Sequence, residues 1–412
     1  MLLHLDHVTS TRRKALFRRH AARGLAHGAS VVCAALAVLV ACSTDQPSGP
    51  ADAEVQAFAA RGYGSAKHSV AGTTTHAWSV SGQALSVVMS LPDETSAAPL
   101  VIYLPGLGQS SEAGELWRTA WSSAGYAVLS VQLLEADERA WSSALARGGE
   151  FRKLALDRYG APAMRQRLRL LADVVAEGER RSLQGEPAWN RIDWNRVAIA
   201  GYDVGAYAAM VAAGEQLVGL EDRSGALKIR AAIALSPFSN PAAGSIDSRY
   251  RDIRIPVLSV TSTADGDPLG LTDGGDQRSV PFERMRGPDK YLLMLRDVSH
   301  ARLAGGVSAT TPEPEAKRAG GAGGGDLGPR RGTNQRMNRE ESEEPLVDRP
   351  RAVERAVVRG LSANALRMRV LAAQAVSTAF LDASLKDDSR ARGWLENDAP
   401  RWLSGLGTLG RK

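Results

Sequence analysis

The stretch from Arg196 to Met210 constrains the fold of this chain more than any other segment. Val197 to Ala200 is an apolar run of strand length, Gly201 and Gly205 bracket Asp203, and small residues that suit a closely packed helix follow. The segment therefore predicts a strand, a sharp turn and a helix. Asp203 lies on the turn, where the two flanking glycines relieve crowding of the backbone.

Short apolar runs alternate with helical patterns on both sides of this turn. The predicted strands include Trp78 to Val80, Ala84 to Met89, Leu100 to Leu104, Ala127 to Val131, Ala231 to Leu235, Val257 to Val260 and Tyr291 to Leu295. Helical periodicity is found in Trp117 to Ser123, Arg165 to Val175 and Ala352 to Leu385. The alternation predicts an α/β fold with a mostly parallel, doubly wound sheet and helices on both of its faces.

The first 41 residues differ from the rest in charge. Six basic residues lie there against one acid, Asp6, and without the segment the chain has 45 basic and 44 acidic residues. This balance does not support a nucleic-acid-binding domain. The basic region is followed by Gly28 to Ala41, an apolar run too short to span a bilayer, which is typical of a signal peptide over residues 1–41.

The apolar run ends in Leu39, Val40, Ala41 and Cys42, which resembles the lipobox of bacterial lipoproteins. The resemblance implies acylation of Cys42, export, and anchoring in the cell envelope, with Ser43 favouring the outer membrane. The alternative is an apolar segment with an incidental cysteine. Cys33 lies inside the predicted signal, so the mature chain has no disulfide or cysteine-based metal site. The expected partners are a lipid membrane and a small-molecule substrate, and the oligomeric state stays open.

Composition divides the remaining chain into four parts. Residues 42–60 are rich in Ser, Pro, Ala and Asp and are predicted to be a lipidated tether. Residues 61–304 hold the predicted sheet. Residues 305–352 are poor in apolar residues and rich in Gly, Pro and charge, which predicts a disordered insertion. Residues 353–412 are predicted to complete the domain as a helical part that docks on the sheet.

The turn at Asp203 resembles the nucleophile elbow of α/β-hydrolases, and this resemblance implies two backbone donors that stabilise developing negative charge. The residue after it supplies one backbone N–H at the start of the helix, and here that residue is Val204. A second donor comes from the loop after an early strand. Leu104 to Gly108 is such a loop, and we select the N–H of Leu107.

The resemblance to α/β-hydrolases also implies an acid and a histidine, in that order, later in the chain. The strand ending at Val260 is followed by an acidic loop, in which Asp265 is the first candidate and Asp267 the second. The next predicted strand is followed by His300, the one histidine that comes after the turn. We therefore predict a catalytic set of Asp203, Asp265 and His300.

Together these segments resemble one branch of the α/β-hydrolase superfamily, that of dienelactone hydrolases, chlorophyllases and platelet-activating-factor acetylhydrolases. The resemblance covers about residues 97–300 and 352–405. It is carried by LPGLG at 104–108, IDWNRVAIAGYDVGAY at 192–207, ALSPF at 234–238, TSTADGDPLG at 261–270, PDKYLLML at 288–295 with His300, and STAFLDASL at 377–385. It implies the α/β-hydrolase fold, a nucleophile elbow at Asp203, and a hydrolase of ester-like small substrates. No motif indicates a metal or an organic cofactor.

Asp203 departs from that branch, which has serine at this position. A carboxylate that attacked an ester carbonyl would form an anhydride of high energy, so serine-type ester hydrolysis through Asp203 is disfavoured. Three hypotheses stay open. Asp203 is a general base in the hydrolysis of ester-like substrates, or the protein is a catalytically inactive binding or scaffold lipoprotein, or Asp203 is the nucleophile of a dehalogenase or epoxide hydrolase.

The third hypothesis requires additional groups around Asp203. Haloalkane dehalogenases and epoxide hydrolases have tryptophan after the nucleophile, whereas this chain has Val204. Trp117 and Trp121 are the candidates for a halide donor, and Tyr202 and Tyr207 are the candidates for an acid that protonates an epoxide oxygen. The alternative for these buried aromatic residues is packing alone.

Overall fold

A computed structural model describes residues 50–93, 97–220, 227–240, 243–266, 269, 275–306 and 362–412. Within these residues nine strands form one sheet. They are β1 (Val70–Val80), β2 (Gln83–Pro92), β3 (Ala98–Leu104), β4 (Ala127–Val131), β5 (Ile192–Tyr202), β6 (Ala231–Leu235), β7 (Val257–Ser262), β8 (Lys290–Leu295) and β9 (Gly407–Arg411).

The strand order is β1-β2-β4-β3-β5-β6-β7-β8-β9. The six strands from β4 to β8 pair in parallel, while β1, β2 and β9 extend the two edges through antiparallel pairs. The predicted α/β fold with a mostly parallel sheet is confirmed at this level.

Helices connect the strands and cover both faces of the sheet. They are α1 (Pro50–Ala60), α2 (Glu115–Ser123), α3 (Glu135–Glu138), α4 (Ala144–Arg147), α5 (Phe151–Tyr159), α6 (Ala161–Leu183), α7 (Val204–Ala213), α8 (Ile246–Arg249), α9 (Val280–Arg284), α10 (His300–Leu303), α11 (Ala363–Leu385), α12 (Ser389–Asn397) and α13 (Ala399–Trp402).

Side chains alternate between two hydrophobic cores along β3. Leu100, Ile102 and Leu104 belong to the cluster that includes residues of α6 and α7, while Val101 and Tyr103 belong to the cluster that includes residues of α2 and α11. All seven residues of β3 are buried. Because helices cover both faces, central strands are continuous apolar runs, which is why the sequence reveals them readily.

A helix, α1, lies within the second half of the predicted tether over residues 42–60. Residues Pro50–Ala60 form α1, in which Val55 and Phe58 are buried. The Phe58 ring stacks on Trp402 with ring centroids 4.3 Å apart. The spacing of Val55 and Phe58 places both on one helix face, and this face packs against the C-terminal part of the chain.

Several other predictions fall outside the described residues. These include the signal peptide, Cys42, residues 42–49 of the tether, Asp267 and residues 307–352 of the predicted insertion. In the part of the chain that the structure describes, no helix has the length and apolarity needed to cross a membrane.

Candidate active site

Asp203 lies on a strained turn between β5 and α7. Its backbone has φ 55° and ψ −117°, a conformation that non-glycine residues rarely adopt. A Cβ atom on Gly201 would lie 2.3 Å from the backbone of Gly205, and one on Gly205 would lie 2.0 Å from the carbonyl oxygen of Leu104. The two glycines therefore allow β5, α7 and the loop after β3 to approach closely enough to form the turn.

Both carboxylate oxygens of Asp203 accept hydrogen bonds. The backbone N–H of Leu107 donates to Oδ2 at 3.2 Å, and the hydroxyl of Tyr159 donates to Oδ1. The Nε2 atom of His300 is 3.9 Å from the same Oδ1. Asp203 is 6% exposed, so its carboxylate is largely shielded from water.

Asp265 and His300 are in direct contact beside Asp203. Nδ1 of His300 is 2.8 Å from Oδ1 of Asp265, which is fully buried in the loop after β7. Thr261 donates to Oδ2 of Asp265 at 2.7 Å, and Ser236 donates to Oδ1 at 2.9 Å. Because a carboxylate only accepts hydrogen bonds, Nδ1 of His300 carries a proton and donates it to Asp265, while Nε2 faces Asp203.

A buried arginine completes the surroundings of Asp265. Nε of Arg278 is 3.2 Å from Oδ1 of Asp265 and also 3.2 Å from its backbone oxygen. The same guanidinium donates to the backbone oxygens of Ser236 at 3.2 Å and Pro237 at 3.3 Å. Arg278 thus connects the loops that follow β6 and β7.

Of the two predicted oxyanion donors, Leu107 contacts the Asp203 carboxylate. Val204 is the first residue of α7, so its N–H has no acceptor within the helix. Leu107 lies in the loop between β3 and α2. This loop is held by Gln132, whose side-chain nitrogen donates to the backbone oxygens of Gly106 at 3.1 Å and Gln109 at 2.9 Å.

Three of the four other aromatic candidates named from the sequence are engaged elsewhere. The indole N–H of Trp117 donates to the backbone of Leu303 at 3.1 Å, and that of Trp121 donates to Ser377 at 3.0 Å. The hydroxyl of Tyr202 donates to the backbone oxygen of His300 at 3.0 Å. Burial, with the charges of the nearby carboxylates, raises the pKa of Tyr202 well above its ordinary value, so this hydroxyl keeps its proton.

Two residues at the site were not predicted from the sequence. Tyr159 is the last residue of α5, and its ring centroid lies 5.8 Å from that of Tyr207 and 4.8 Å from that of Phe238. Arg278 lies in a short 3-10 helix before β8. Tyr159 and Arg278 do not belong to a sequence motif. Each lies at the site because a segment that is distant in sequence packs against it.

The chain matches no protein-family model and no curated protein. The described residues contain no cluster of three or more His, Cys, Asp and Glu side chains placed to hold a metal ion. The inference of function therefore depends on the chemistry that the side chains around Asp203 can perform.

Proposed function

We propose that this protein is a hydrolase of the α/β-hydrolase fold, in which Asp203 is a covalent nucleophile that opens epoxides. Three features support the fold: the strained turn after β5, the donor from the loop after β3, and the chain order of Asp203, Asp265 and His300. The hydrogen bond from Leu107 to Asp203 supports attack by the carboxylate on a saturated carbon rather than on an ester carbonyl.

The N–H of Leu107 is bonded to Oδ2 of Asp203 itself. A substrate carbonyl would have to displace this carboxylate before it accepted the same hydrogen bond, which disfavours acyl esters as substrates. The position suits a different intermediate. If Oδ1 attacks a saturated carbon, Oδ2 becomes the carbonyl oxygen of an alkyl ester, and Leu107 already donates to the oxygen that becomes negative when water attacks that ester.

The hydrogen-bond donors near Oδ1 of Asp203 indicate which leaving group the site can accept. An epoxide leaves as an alkoxide that needs a proton, whereas a halide needs only a hydrogen-bond donor. The hydroxyl of Tyr159 is at Oδ1, while the indole groups of Trp117 and Trp121 are bonded elsewhere. This arrangement favours an oxygen leaving group. It also assigns the role of the acid to Tyr159, in place of the sequence-based candidates Tyr202 and Tyr207.

In the first step, Oδ1 of Asp203 attacks a ring carbon, the ring C–O bond breaks, and the ring oxygen takes the proton of Tyr159. In the second step, water gives a proton to Nε2 of His300 and adds to Cγ of the ester. Negative charge then develops on Oδ2, which already accepts from the N–H of Leu107, and Val204 is the predicted second donor. Asp265 stabilises the imidazolium of His300 through Nδ1.

Collapse of this intermediate breaks the bond between Cγ and Oδ1. The diol leaves with Oδ1 and with the proton from His300, and Asp203 keeps the oxygen from water as a carboxylic acid. That acid returns a proton to the phenolate of Tyr159, which restores the observed hydrogen-bonded pair. The net reaction adds one water to one epoxide.

The test is a single turnover of styrene oxide in ¹⁸O-labelled water, with the full chain in excess over substrate. The covalent route predicts an unlabelled diol, because its new oxygen comes from Asp203, and a labelled Asp203 in the peptide map. His300→Gln is expected to stop at the ester, which intact mass spectrometry detects as one substrate mass added at Asp203. Asp203→Asn is expected to form no adduct.

Other outcomes overturn the proposal. Label in the diol after one turnover means that water attacks the epoxide directly. Turnover of p-nitrophenyl acetate that Asp203→Asn abolishes, without turnover of styrene oxide, favours Asp203 as a general base in ester hydrolysis. An adduct from 1-bromobutane but not from styrene oxide favours a dehalogenase. A folded wild-type chain inert towards all three favours a binding protein.

A further inference from the structure

The loop that carries the Leu107 donor is held by the segment after β4. The backbone N–H of Gly108 donates to the backbone oxygen of Asp137, in α3, at 2.8 Å. The indole N–H of Trp141 donates to the backbone oxygen of Leu107 at 3.2 Å. Since the N–H of Leu107 itself donates to Asp203, the position of this donor depends on where α3 lies.

A buried ion pair fixes α3 against α6. Nε and Nη2 of Arg167, in α6, each donate to one carboxylate oxygen of Asp137 at 2.7 Å. Asp137 is fully buried, and Arg167 is 2% exposed. Two parallel hydrogen bonds between a guanidinium and a carboxylate define both their distance and their orientation. The pair therefore sets the position of α3, a helix of four residues.

The same guanidinium also holds the segment that carries Tyr159. Nη1 of Arg167 donates to the backbone oxygen of Arg158, the residue before Tyr159, at 2.7 Å. The hydroxyl of Tyr159 donates to Oδ1 of Asp203, whereas the N–H of Leu107 donates to Oδ2. One side chain thus connects the two backbone segments that carry these donors to the carboxylate.

A buried ion pair is often worth no more to stability than apolar side chains of similar volume, because removing two charges from water offsets their attraction. Its geometry is a separate contribution. We propose that Arg167 is a positioning residue that holds the Leu107 donor and the Tyr159 acid in fixed places at the Asp203 carboxylate. This role rests on the proposed function, in which Tyr159 acts as the ester forms and Leu107 acts as it is hydrolysed.

The first measurement needs no substrate. Hydrogen exchange of the full chain, read by mass spectrometry, reports on the amides of Leu107 and Gly108 in the peptide over residues 104–110. Arg167→Met removes the guanidinium and keeps a side chain of similar length. It is expected to raise the exchange rate of these amides by about tenfold or more, because the hydrogen bonds that hold α3 are lost. The peptide over β6 is expected to exchange as in wild type.

Unchanged exchange at residues 104–110 in folded Arg167→Met overturns the proposal. If this variant does not fold, Asp137→Asn takes its place. It removes the charge of the same pair and leaves an amide oxygen that still accepts one hydrogen bond. The exchange rate at residues 104–110 is again expected to rise, and an unchanged rate again overturns the proposal.

Asp382→Asn is the matched control, because it also removes the charge of a buried carboxylate. Asp382, in α11, accepts from the hydroxyl of Tyr126 at 2.6 Å and pairs with Lys386 at 2.8 Å. Tyr126 belongs to the hydrophobic core that includes residues of α2 and α11, whereas Leu107 belongs to the other core. Exchange at residues 104–110 is expected to match wild type in this control. An equal increase there means that a general loss of stability governs the exchange, which overturns the proposal.

The second measurement is a single turnover of styrene oxide, followed by intact mass spectrometry. Arg167→Met is expected to slow both the formation and the decay of the adduct at Asp203. Asp137→Asn keeps the hydrogen bond from Arg167 to Arg158, so it is expected to slow mainly the decay, and the adduct accumulates. A purely structural defect lowers the folded fraction and does not separate the two steps.

Equal slowing of formation and decay in folded Asp137→Asn contradicts the proposal, because its two donors act in different steps. If wild type forms no adduct, the proposed function is wrong. The exchange measurement still decides, in that case, whether Arg167 positions the donor loop.

Discussion

At the residue scale, the tightest steric restriction in the candidate site is at Gly205. A Cβ atom there would lie 2.0 Å from the carbonyl oxygen of Leu104 and 2.6 Å from its carbonyl carbon, and neither backbone atom can rotate away. We expect Gly205→Ala to lower the free energy of unfolding by about 3 kcal/mol or more, because β3 or α7 must shift. Urea denaturation measures this change.

Gly393 in α12 is the matched control for that substitution. A Cβ atom on Gly393 would meet no atom within 4 Å. Gly393→Ala is therefore expected to leave the protein as stable as wild type or to stabilise it by up to about 1 kcal/mol, through helix propensity. Equal losses of stability in the two variants would refute the steric explanation.

The residues of the candidate site differ in how far the sequence predicts them. Asp203, Asp265 and His300 each come soon after the end of a parallel strand, and parallel strands bring such positions to the same edge of a sheet. Tyr159 and Arg278 have no such relation. They approach Asp203 and Asp265 from helical segments whose positions depend on side-chain packing, and a single sequence does not specify that packing.

At the scale of single elements, α1 depends on a contact with the far end of the chain. The indole N–H of Trp402 donates to the backbone oxygen of Phe58 at 3.1 Å, and the two rings stack. We expect Phe58→Ala to lower the free energy of unfolding by about 2–4 kcal/mol, because it removes a buried ring. Glu54→Ala, on the exposed side of α1, is expected to change it by less than about 0.5 kcal/mol. Thermal unfolding of both variants tests whether α1 is docked.

Helix α6 carries an acid whose contribution to stability depends on pH. Hydrogen bonds from Arg180 and Arg181 lower the pKa of Glu177 to about 2, from 4.5. A lowered pKa in the folded state stabilises the protein above pH 4.5, and this stabilisation is lost as the pH falls towards 2. Glu177→Gln is expected to reduce stability at pH 7 by less than about 1 kcal/mol, because water and salt screen the pair.

The stability difference between wild type and Glu177→Gln should therefore shrink in chemical denaturation at pH 2.5 and in high salt at pH 7. Glu179→Gln is the control, because Glu179 is exposed on the same helix and has no ion pair among the described residues. A difference for Glu177→Gln that is the same at both pH values would contradict the ion-pair explanation.

At the scale of the whole molecule, the sequence predicts the centre of the sheet better than its edges. Central strands such as β4 and β6 are buried throughout and consist mostly of apolar residues, and their bounds are those that the sequence indicates. Strand β9 contains two glycines and is defined by its pairing with β8 rather than by its own composition. Helix α1 likewise has only a short apolar face, and the partner of that face, Trp402, is 344 residues away from Phe58.

The docking of α1 changes what acylation of Cys42 would do. With residues 50–60 packed on the domain, seven residues, 43–49, lie between Cys42 and the start of α1 in the sequence. Fully extended, that link spans roughly 25 to 30 Å, so an acylated protein would be held close to the membrane surface.

We propose that Cys42 is the anchor. After expression in a Gram-negative bacterium, we expect Cys42→Ser to move the protein from the membrane fraction to the soluble fraction. We also expect this variant to lose incorporated palmitate. Cys33→Ser is the control and is expected to leave both unchanged. If Cys42→Ser stays in the membrane fraction and keeps its label, the lipid is attached elsewhere and the limit on distance does not apply.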